Sequence, residues 1–248
     1  MADLKEAFKD ALFKGTGKRF DIAVFPLLDA VLFPGVDLPL HIFEKRYGQM
    51  LTELQARKWS LAVSLVTPHE GTDFFLNTIC GAGSVQVTQA YPDGRSDILV
   101  HGEMRVKLHS FIQKEPYFVM EAEELVPVVH GEKLMGAELA KDEKMALEGL
   151  SADEKKDIIE IADLAKMWAF LNPSVPDQAA FAFDHFKTPG ELSDFFAFHY
   201  LKKPLDKQIY LNCLDPVQRT LMLSDYLKTD LSRLSKKVEK VTKSSLIH

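Results

Sequence analysis

The chain has 248 residues, with 36 acidic side chains against 30 basic ones and a formal net charge of −6. Hydrophobic residues make up 46% and charged residues 27%, which is typical of a globular protein and excludes intrinsic disorder, collagen and disulfide-rich scaffolds. The length allows one large domain or two smaller ones. The excess of acidic side chains argues against a nucleic-acid-binding protein of the strongly basic class, although it is compatible with a local basic patch.

The N-terminal residues and the cysteines indicate the cellular compartment. Residues 3–13 predict a short amphipathic helix, and its acidic Asp3 and Glu6 are not compatible with a secretory signal peptide. No stretch reaches the roughly 18 uncharged apolar residues that a membrane span needs. Cys80 and Cys213 match no metal-binding pattern and read as buried thiols of a reducing compartment. We therefore expect a cytoplasmic protein that contacts no membrane.

From residue 20 to about residue 125 the sequence predicts short strands separated by turns. Tyr91-Pro-Asp-Gly-Arg95 predicts a hairpin turn, because proline presets one turn dihedral and glycine readily adopts positive φ. One helix follows His41-Ile42, with apolar residues at helical spacing from Phe43 to Leu54. The predicted strands are 61–66, 84–88, 98–101, 105–109 and 117–122.

From about residue 131 the pattern is helical. Three motifs predict helix starts, because Ser151, Thr188 and Asp215 each precede a helical repeat as capping residues. The helix after Asp215 is predicted to be the longest. Strands therefore crowd into residues 1–130 and helices into residues 131–248, which predicts an α+β fold with a domain boundary near residue 130.

Motifs of catalytic or cofactor-binding chemistry occur only as fragments. Gly15-Thr-Gly-Lys18 lacks the earlier glycine and the following hydroxyl residue of a P-loop, and Gly81-Ala-Gly83 lacks the third glycine of a dinucleotide site. His101-Gly-Glu103 has no P-C-x-x-C partner for a zinc deaminase. No G-x-S-x-G motif marks a serine nucleophile, and no histidine pair has zinc-ligand spacing on a helix. We therefore expect no enzyme, with no catalytic residues, no metal and no cofactor.

The most specific signal is a block in which prolines, a glycine and aromatic residues have fixed spacing, Phe25-Pro-Leu-Leu-Asp-Ala-Val-Leu-Phe-Pro-Gly-Val-Asp-Leu-Pro-Leu-His-Ile-Phe-Glu-Lys-Arg-Tyr47. It resembles the opening of the N-terminal domain of Lon proteases. Shorter matches follow in the family's order, and the segment 131–176 has no obvious counterpart there. These matches are Cys80–Val85, Pro92-Asp-Gly94 with Leu99–Arg105, Glu115–Phe118, and Lys207-Gln208 with Asp215–Arg219.

The resemblance implies both a fold and a function. The family's domain is a PUA-like β pseudo-barrel followed by an α-helical lobe, here ending in a long C-terminal helix, and it recognises protein substrates. In Lon proteases this domain precedes an ATPase and a Ser-Lys peptidase, and the sequence contains neither set of motifs. The resemblance thus implies a stand-alone, non-catalytic protein of bacterial type that binds polypeptides or acts as an adaptor or regulator.

Polypeptide binding and RNA binding stay open as alternatives, with polypeptide binding favoured. Phe33, Phe74 and Phe75 lie near predicted turns and are our candidates for an exposed peptide-binding patch. RNA binding follows only by analogy with PUA relatives. Residues 228–243 carry six basic and two acidic side chains, so the rest of the chain carries a net charge of −10. A small basic segment on an acidic body is poorly suited to tracking phosphates.

The same C-terminal segment carries an apolar stripe with alternating spacings of four and three residues. This spacing is that of a coiled-coil seam, but it extends over only about two heptads. Two interpretations stay open, since the stripe either joins two copies into a homodimer or packs on its own helical lobe. The stripe consists of Leu227, Leu231, Leu234, Val238 and Val241.

Overall fold

The computed structural model describes residues 15–68, 74–129, 132–133, 152–172, 175, 186 and 188–245. Within these residues the chain has an α+β fold with nine strands and five helices, as predicted for the fold class. The helix predicted over residues 3–13 lies outside the described residues. The strands are β1 Gly15–Leu27, β2 Asp37–Ile42, β3 Leu61–Pro68, β4 Phe74–Leu76, β5 Ile79–Ala90, β6 Ser96–Gln113, β7 Phe118–Leu125, β8 Val128–Val129 and β9 Glu132–Lys133. The helices are α1 Lys45–Arg57, α2 Ala152–Leu171, α3 Pro189–Tyr200, α4 Pro204–Asn212 and α5 Pro216–Ser245.

Five of the strands form a ladder that closes on itself. The order is β1-β7-β6-β5-β3 with antiparallel pairs, and β3 then pairs in parallel with β1 from Ala23↔Leu61 to Leu27↔Leu65. Closure gives every strand of the ring a partner on both sides over at least part of its length, and the inward side chains fill its interior. That core contains Ile22, Val24, Ala62, Cys80, Ala82, Val106, Leu108, Met120 and Ala122.

β6 is one long strand where the sequence predicted two. The predicted runs 98–101 and 105–109 are both parts of Ser96–Gln113, and Gly102 lies between them. The first part of β6 pairs with β2 and the second part with β7, so one strand serves two neighbours along the same edge. The predicted hairpin turn between β5 and β6 is confirmed, because the Tyr91 N–H donates to the Arg95 carbonyl at 2.9 Å and Gly94 has a φ of 89°.

α1 begins later than the sequence predicted. The helix starts at Lys45, and Phe43 lies before it with 69% of its surface exposed, so Phe43 is not part of the core face. The remaining predicted core residues of this helix are buried, and Tyr47 packs edge-on against Phe25 of β1 with ring centroids 4.5 Å apart. The difference arises because β2 continues to Ile42 and leaves Phe43 in the connection.

Tertiary contacts divide the chain into two units. The first unit comprises the described residues of Met1–Gly136 together with Asp194–Leu214, and the second comprises those of Ala137–Ser193 and Asp215–His248. The domain boundary near residue 130 stays a prediction.

Buried polar contacts hold the segment Asp194–Leu214 against the strands of the first unit. The Arg105 guanidinium donates to both carboxylate oxygens of Asp194, at 2.7 and 2.9 Å, and its Nε donates to the Leu211 carbonyl at 3.0 Å. The Gln208 side-chain amide donates to the Ile79 carbonyl at 2.9 Å. These bonds tie Asp194 of α3 and the second half of α4 to β5 and β6.

The second unit is built around the packing of α2 on α5. The Trp168 indole N–H donates to Asp230 Oδ2 at 2.8 Å, and Trp168 is buried. Asp215 caps α5 as the sequence predicted, because its Oδ1 accepts the N–H groups of Val217 and Gln218. Over the described residues, no helix combines the length and the apolar character that crossing a membrane requires.

Candidate functional site

A groove of about 350 Å³ opens between α1 and β5 in the first unit. Its apolar lining comes from Leu51 and Leu54 of α1 and from Val85 and Val87 of β5, with Trp59 beside them. The polar and charged lining residues are Gln55, Lys58, Ser60, Ser84 and Glu103. This volume lies at the lower end of the range found for ligand-binding sites, and such sites also combine apolar walls with a few polar groups.

The end of α1 places Trp59 in the groove. Lys58 has a φ of 54°, a left-handed conformation, and its N–H bonds to the Leu54 carbonyl, which ends the helix sharply. The Trp59 N–H bonds to the same carbonyl at 3.1 Å. The Arg57 guanidinium lies 4.5 Å from the centre of the Trp59 ring, so a cation–π contact holds the indole. A half-buried aromatic ring is therefore presented by a rigid turn.

The alternation of β5 supplies the other wall. Val85 and Val87 are half-buried and line the groove, whereas Gln86 and Thr88 are exposed and do not line it. Successive side chains of a regular strand point to opposite faces, so Val85 and Val87 share one face and Gln86 lies on the other. The valines pair across the ladder with the buried Ile98 and Val100.

A second exposed aromatic surface surrounds Phe43. The rings of Phe43 and His41 stack with centroids 6.3 Å apart, and His41 Nδ1 lies 2.6 Å from Asp97 Oδ1. The Tyr91 hydroxyl donates to Asp97 Oδ2 at 2.6 Å. The hydrogen bonds from His41 and Tyr91 lower the pKa of the Asp97 carboxyl, and the bond to Asp97 raises the pKa of Tyr91. The surface is an ordered polar network that carries one exposed ring, without a concave wall in the described residues.

A third exposed apolar surface lies near the hairpin between β6 and β7. Phe111 and Ile112 are 43% and 53% exposed, and Phe111 packs edge-on against Phe118. The Lys114 ammonium lies 5.0 Å from the centre of the Phe111 ring. Among these surfaces, the groove alone combines apolar walls, a cavity and polar groups at its rim.

The predicted peptide-binding residues do not come together. Phe33 is fully buried, with 0% of its surface exposed, so its prediction as part of an exposed patch is wrong. It follows Leu32 in a buried run that lies over Gly81 and Gly102, whose lack of side chains allows the close approach. Phe75 on β4 is 59% exposed, and the side chain of Phe74 lies outside the described ones.

The predicted self-association seam is largely covered by its own chain. Leu227, Leu231 and Leu234 are 0%, 7% and 8% exposed, on the helix α5 against which α2 packs. This burial favours the alternative that the stripe packs on its own lobe and removes these leucines from a dimer interface. The side chains of Val238 and Val241 are not among the described ones.

The groove residues Trp59, Val85 and Val87 were not predicted as site residues. The only sequence signal was the alternation of residues 84–88, which predicts a strand and gives no indication that one face meets a helix end. In the part of the chain that the structure describes, no three His, Cys, Asp or Glu side chains form a group able to hold a metal ion. The described residues that line the groove offer apolar contact and hydrogen bonding.

Comparisons with known proteins identify the family. Residues 21–229 match the ATP-dependent protease La (LON) substrate-binding domain. The chain is 27% identical to a Lon protease of Roseiflexus castenholzii over 228 residues and 23% identical to that of Cytophaga hutchinsonii over 225 residues. Each match covers 90% of this chain and 26% of the relative, so the chain spans about a quarter of the length of these relatives. The matched part is the substrate-binding domain and not the protease domain.

Solved structures agree with this assignment. The N-terminal domain of a Mycobacterium avium complex Lon protease superposes with a TM-score of 0.59 at 14% identity, covering 84% of this chain and 98% of that one. A Lon N-terminal domain protein from Xanthomonas campestris has a TM-score of 0.53 at 16% identity, with the same coverage. At these identities the two structures show a shared fold. Nothing in the comparisons supports RNA binding. The chain therefore belongs to the Lon substrate-binding domain family, as the resemblance predicted.

Proposed function

We propose that this chain is a non-catalytic recognition module that binds exposed apolar segments of polypeptides in the groove between α1 and β5. One observation carries the proposal, namely that the groove joins four buried or half-buried aliphatic residues and a half-buried tryptophan to a polar rim. Apolar side chains that are exposed in an unfolded protein lose contact with water when they enter such a groove, which favours binding.

The charges at the groove favour a polypeptide over a nucleic acid. Among the described residues that line the groove, the charged ones are one cation, Lys58, and one anion, Glu103. A nucleic acid binds to surfaces where several Lys or Arg side chains contact its phosphates, and the affinity of the complex increases with the number of these contacts. A polypeptide carries both backbone donors and acceptors, and the polar groups of Gln55, Ser60 and Ser84 can bond with either kind.

Membership of the family supports the same role, because the family that residues 21–229 match is that of a substrate-binding domain. The closed strand ladder supports a PUA-like pseudo-barrel as the scaffold, with α5 as the long C-terminal helix. We further propose that the chain works in the cytoplasm as an adaptor or regulator for polypeptide clients.

The test is a binding measurement with an unfolded protein. We expect a fluorescently labelled, reduced and alkylated client protein to bind the wild-type chain and to bind the Trp59→Ala variant about tenfold more weakly, since a buried aromatic contact contributes about 1–2 kcal/mol. Phe43→Ala is the matched control, because it removes an exposed aromatic ring outside the groove, and we expect its affinity to equal that of the wild type.

Two results would contradict the proposal. One is an equal loss of affinity in both variants, which would point to the Phe43 surface or to unspecific hydrophobic binding. The other is no binding of the unfolded client to the wild type while a single-stranded RNA binds with a steep dependence on salt. Circular dichroism of each variant checks that its fold is intact.

A further inference from the structure

β5 has an unpaired edge beside the groove. β3 pairs with β5 only from Leu61↔Gly83 to Val63↔Gly81, whereas β6 pairs with β5 as far as Ala90, with register irregularities between Ala82 and Gly83 and between Val87 and Gln89. From residue 84 to residue 90, no described strand lies on the other side of β5. The backbone N–H and C=O groups on that side therefore have no strand partner, and the groove lies directly next to them.

We propose that the bound polypeptide adds a strand to this edge of β5 and places alternate side chains in the groove. The inference rests on the proposed function and specifies how the bound polypeptide lies against β5. Main-chain hydrogen bonds to an exposed edge provide affinity that is independent of sequence, and pockets for alternate side chains provide selectivity. Such a mode suits a module that must accept many unfolded clients.

The composition of the edge supports this use. Residues 84–90 read Ser-Val-Gln-Val-Thr-Gln-Ala and contain no proline and no charge, two of the means by which proteins protect a strand edge from pairing, and the irregularity between Val87 and Gln89 leaves residues 84–87 as the regular part of the edge. β2, another strand with one described neighbour, is protected in that way. It contains Pro39, and His41 and Asp37 form cross-strand pairs with Asp97 and His101 at 2.6 and 2.7 Å.

The dimensions define the segment that fits. The regular stretch of this edge, residues 84–87, spans about 13 Å, because a strand rises about 3.3 Å per residue. An added strand would direct about two side chains towards Leu51, Leu54 and Trp59 and the others away from the groove. The ligand is therefore an extended polypeptide in which uncharged apolar residues alternate with polar ones over about four positions.

The decisive experiment modifies the ligand backbone. The probe is a labelled nine-residue peptide in which valine alternates with serine between two terminal lysines, and its dissociation constant is measured by fluorescence anisotropy. Two further peptides carry N-methyl groups on all the valines or on all the serines. In an added strand the amides of every second residue face β5, so we expect one methylated peptide to bind at least about tenfold more weakly and the other to bind within about threefold of the parent.

A change in the protein tests the same geometry. Val87→Lys places a charge on the groove side of β5, and we expect about a tenfold loss of affinity for the peptide. Ser110→Lys adds the same charge at an exposed position of β6 outside the groove and serves as the control, with unchanged affinity expected. Light scattering of wild type and Val87→Lys shows whether a second copy of the chain occupies the edge.

Each outcome bears on one of the two proposals. Equal affinity of the two methylated peptides, with intact binding of the unfolded client, would overturn strand addition and leave the proposed function in place. A wild-type dimer that Val87→Lys separates, without any change in client binding, would also overturn it. Absence of binding by both the peptide and the unfolded client would overturn the proposed function itself.

Discussion

At the scale of single residues, the carboxylate of Glu123 joins the start of β1 to β7. One of its oxygens accepts the Gly17 N–H at 2.7 Å, and the other lies 3.3 Å from His109 Nε2. The hydrogen bond from Gly17 and the hydrogen bond and charge of His109 lower the pKa of Glu123 below its usual value of 4.5. Folding therefore favours the ionised form of this side chain.

This lowered pKa predicts a pH dependence of stability. A carboxyl group whose pKa is lower in the folded state stabilises the fold fully above its unfolded pKa, and the contribution is lost as the pH falls through the folded value. We expect wild type to exceed Glu123→Gln in free energy of unfolding at pH 7 and the difference to shrink below about pH 4.5. Urea unfolding at several pH values measures it. Glu115→Gln, at an exposed position, controls for the loss of one charge, and an equal, pH-independent difference in both variants would contradict the prediction.

The burial of Phe33 is a property of a single residue that the sequence did not predict. Phe33 precedes Pro34-Gly35, and a residue beside such a turn is expected to be exposed. Its burial depends on Gly102, whose N–H donates to the Val36 carbonyl at 2.9 Å and whose carbonyl accepts the Gly35 N–H at 2.8 Å. That contact joins residues more than sixty positions apart, and no local pattern contains it.

At the scale of elements, two glycines with opposite roles give a paired prediction. A Cβ at Gly102 on β6 would overlap the Phe33 carbonyl, whereas a Cβ at Gly48 in α1 would meet no atom closer than 3.9 Å. We expect Gly102→Ala to destabilise the fold by about 1–3 kcal/mol through overpacking. Gly48→Ala should stabilise it by about 0.5–1 kcal/mol, because glycine inside a helix loses more backbone entropy than alanine.

Urea unfolding of the two variants checks the pair directly, because the chemical change is the same in both. Destabilisation by Gly48→Ala would show that α1 is not a regular helix at that position. Stability of Gly102→Ala equal to that of the wild type would show that residues 31–36 do not lie on β6 as described.

The starts of the helices illustrate what local sequence predicts well. Thr188 accepts the Glu191 N–H at 3.2 Å, and Asp215 accepts two N–H groups at the start of α5. Both caps were predicted, because a cap and the groups that it satisfies lie within three residues. The seam on α5 was predicted as a pattern only. Its partner, α2, lies about sixty residues away, and the spacing of leucines does not reveal which helix covers them.

At the scale of the whole molecule, Arg105 and Asp194 join distant parts of the first unit. Their side chains are 8% and 5% exposed, and the pair is bidentate. Removing one partner of a buried pair leaves an uncompensated charge, which typically costs about 3–5 kcal/mol. We therefore expect Arg105→Ala to destabilise the first unit and to accelerate amide hydrogen exchange in residues 194–212 in particular.

Two comparisons sharpen this test. Arg19→Ala breaks an exposed pair with Glu121 and should cost less than about 1 kcal/mol, without accelerating exchange in residues 194–212. The double variant Arg105→Met, Asp194→Leu should recover much of the stability, since apolar residues of similar volume can replace a buried ion pair. Unchanged exchange in Arg105→Ala would mean that the segment is held by other contacts.

The α+β class, the hairpin at residues 91–95, the caps at Thr188 and Asp215 and the family could be predicted from the sequence, because each depends on neighbouring residues or on a motif of fixed spacing. The burial of Phe33, the groove that Trp59 shares with Val85 and Val87, and the unpaired edge of β5 follow only from the three-dimensional structure. Exposure of a side chain or of a strand edge depends on which distant segment packs beside it, and neither the net charge nor the length of the chain contains that information.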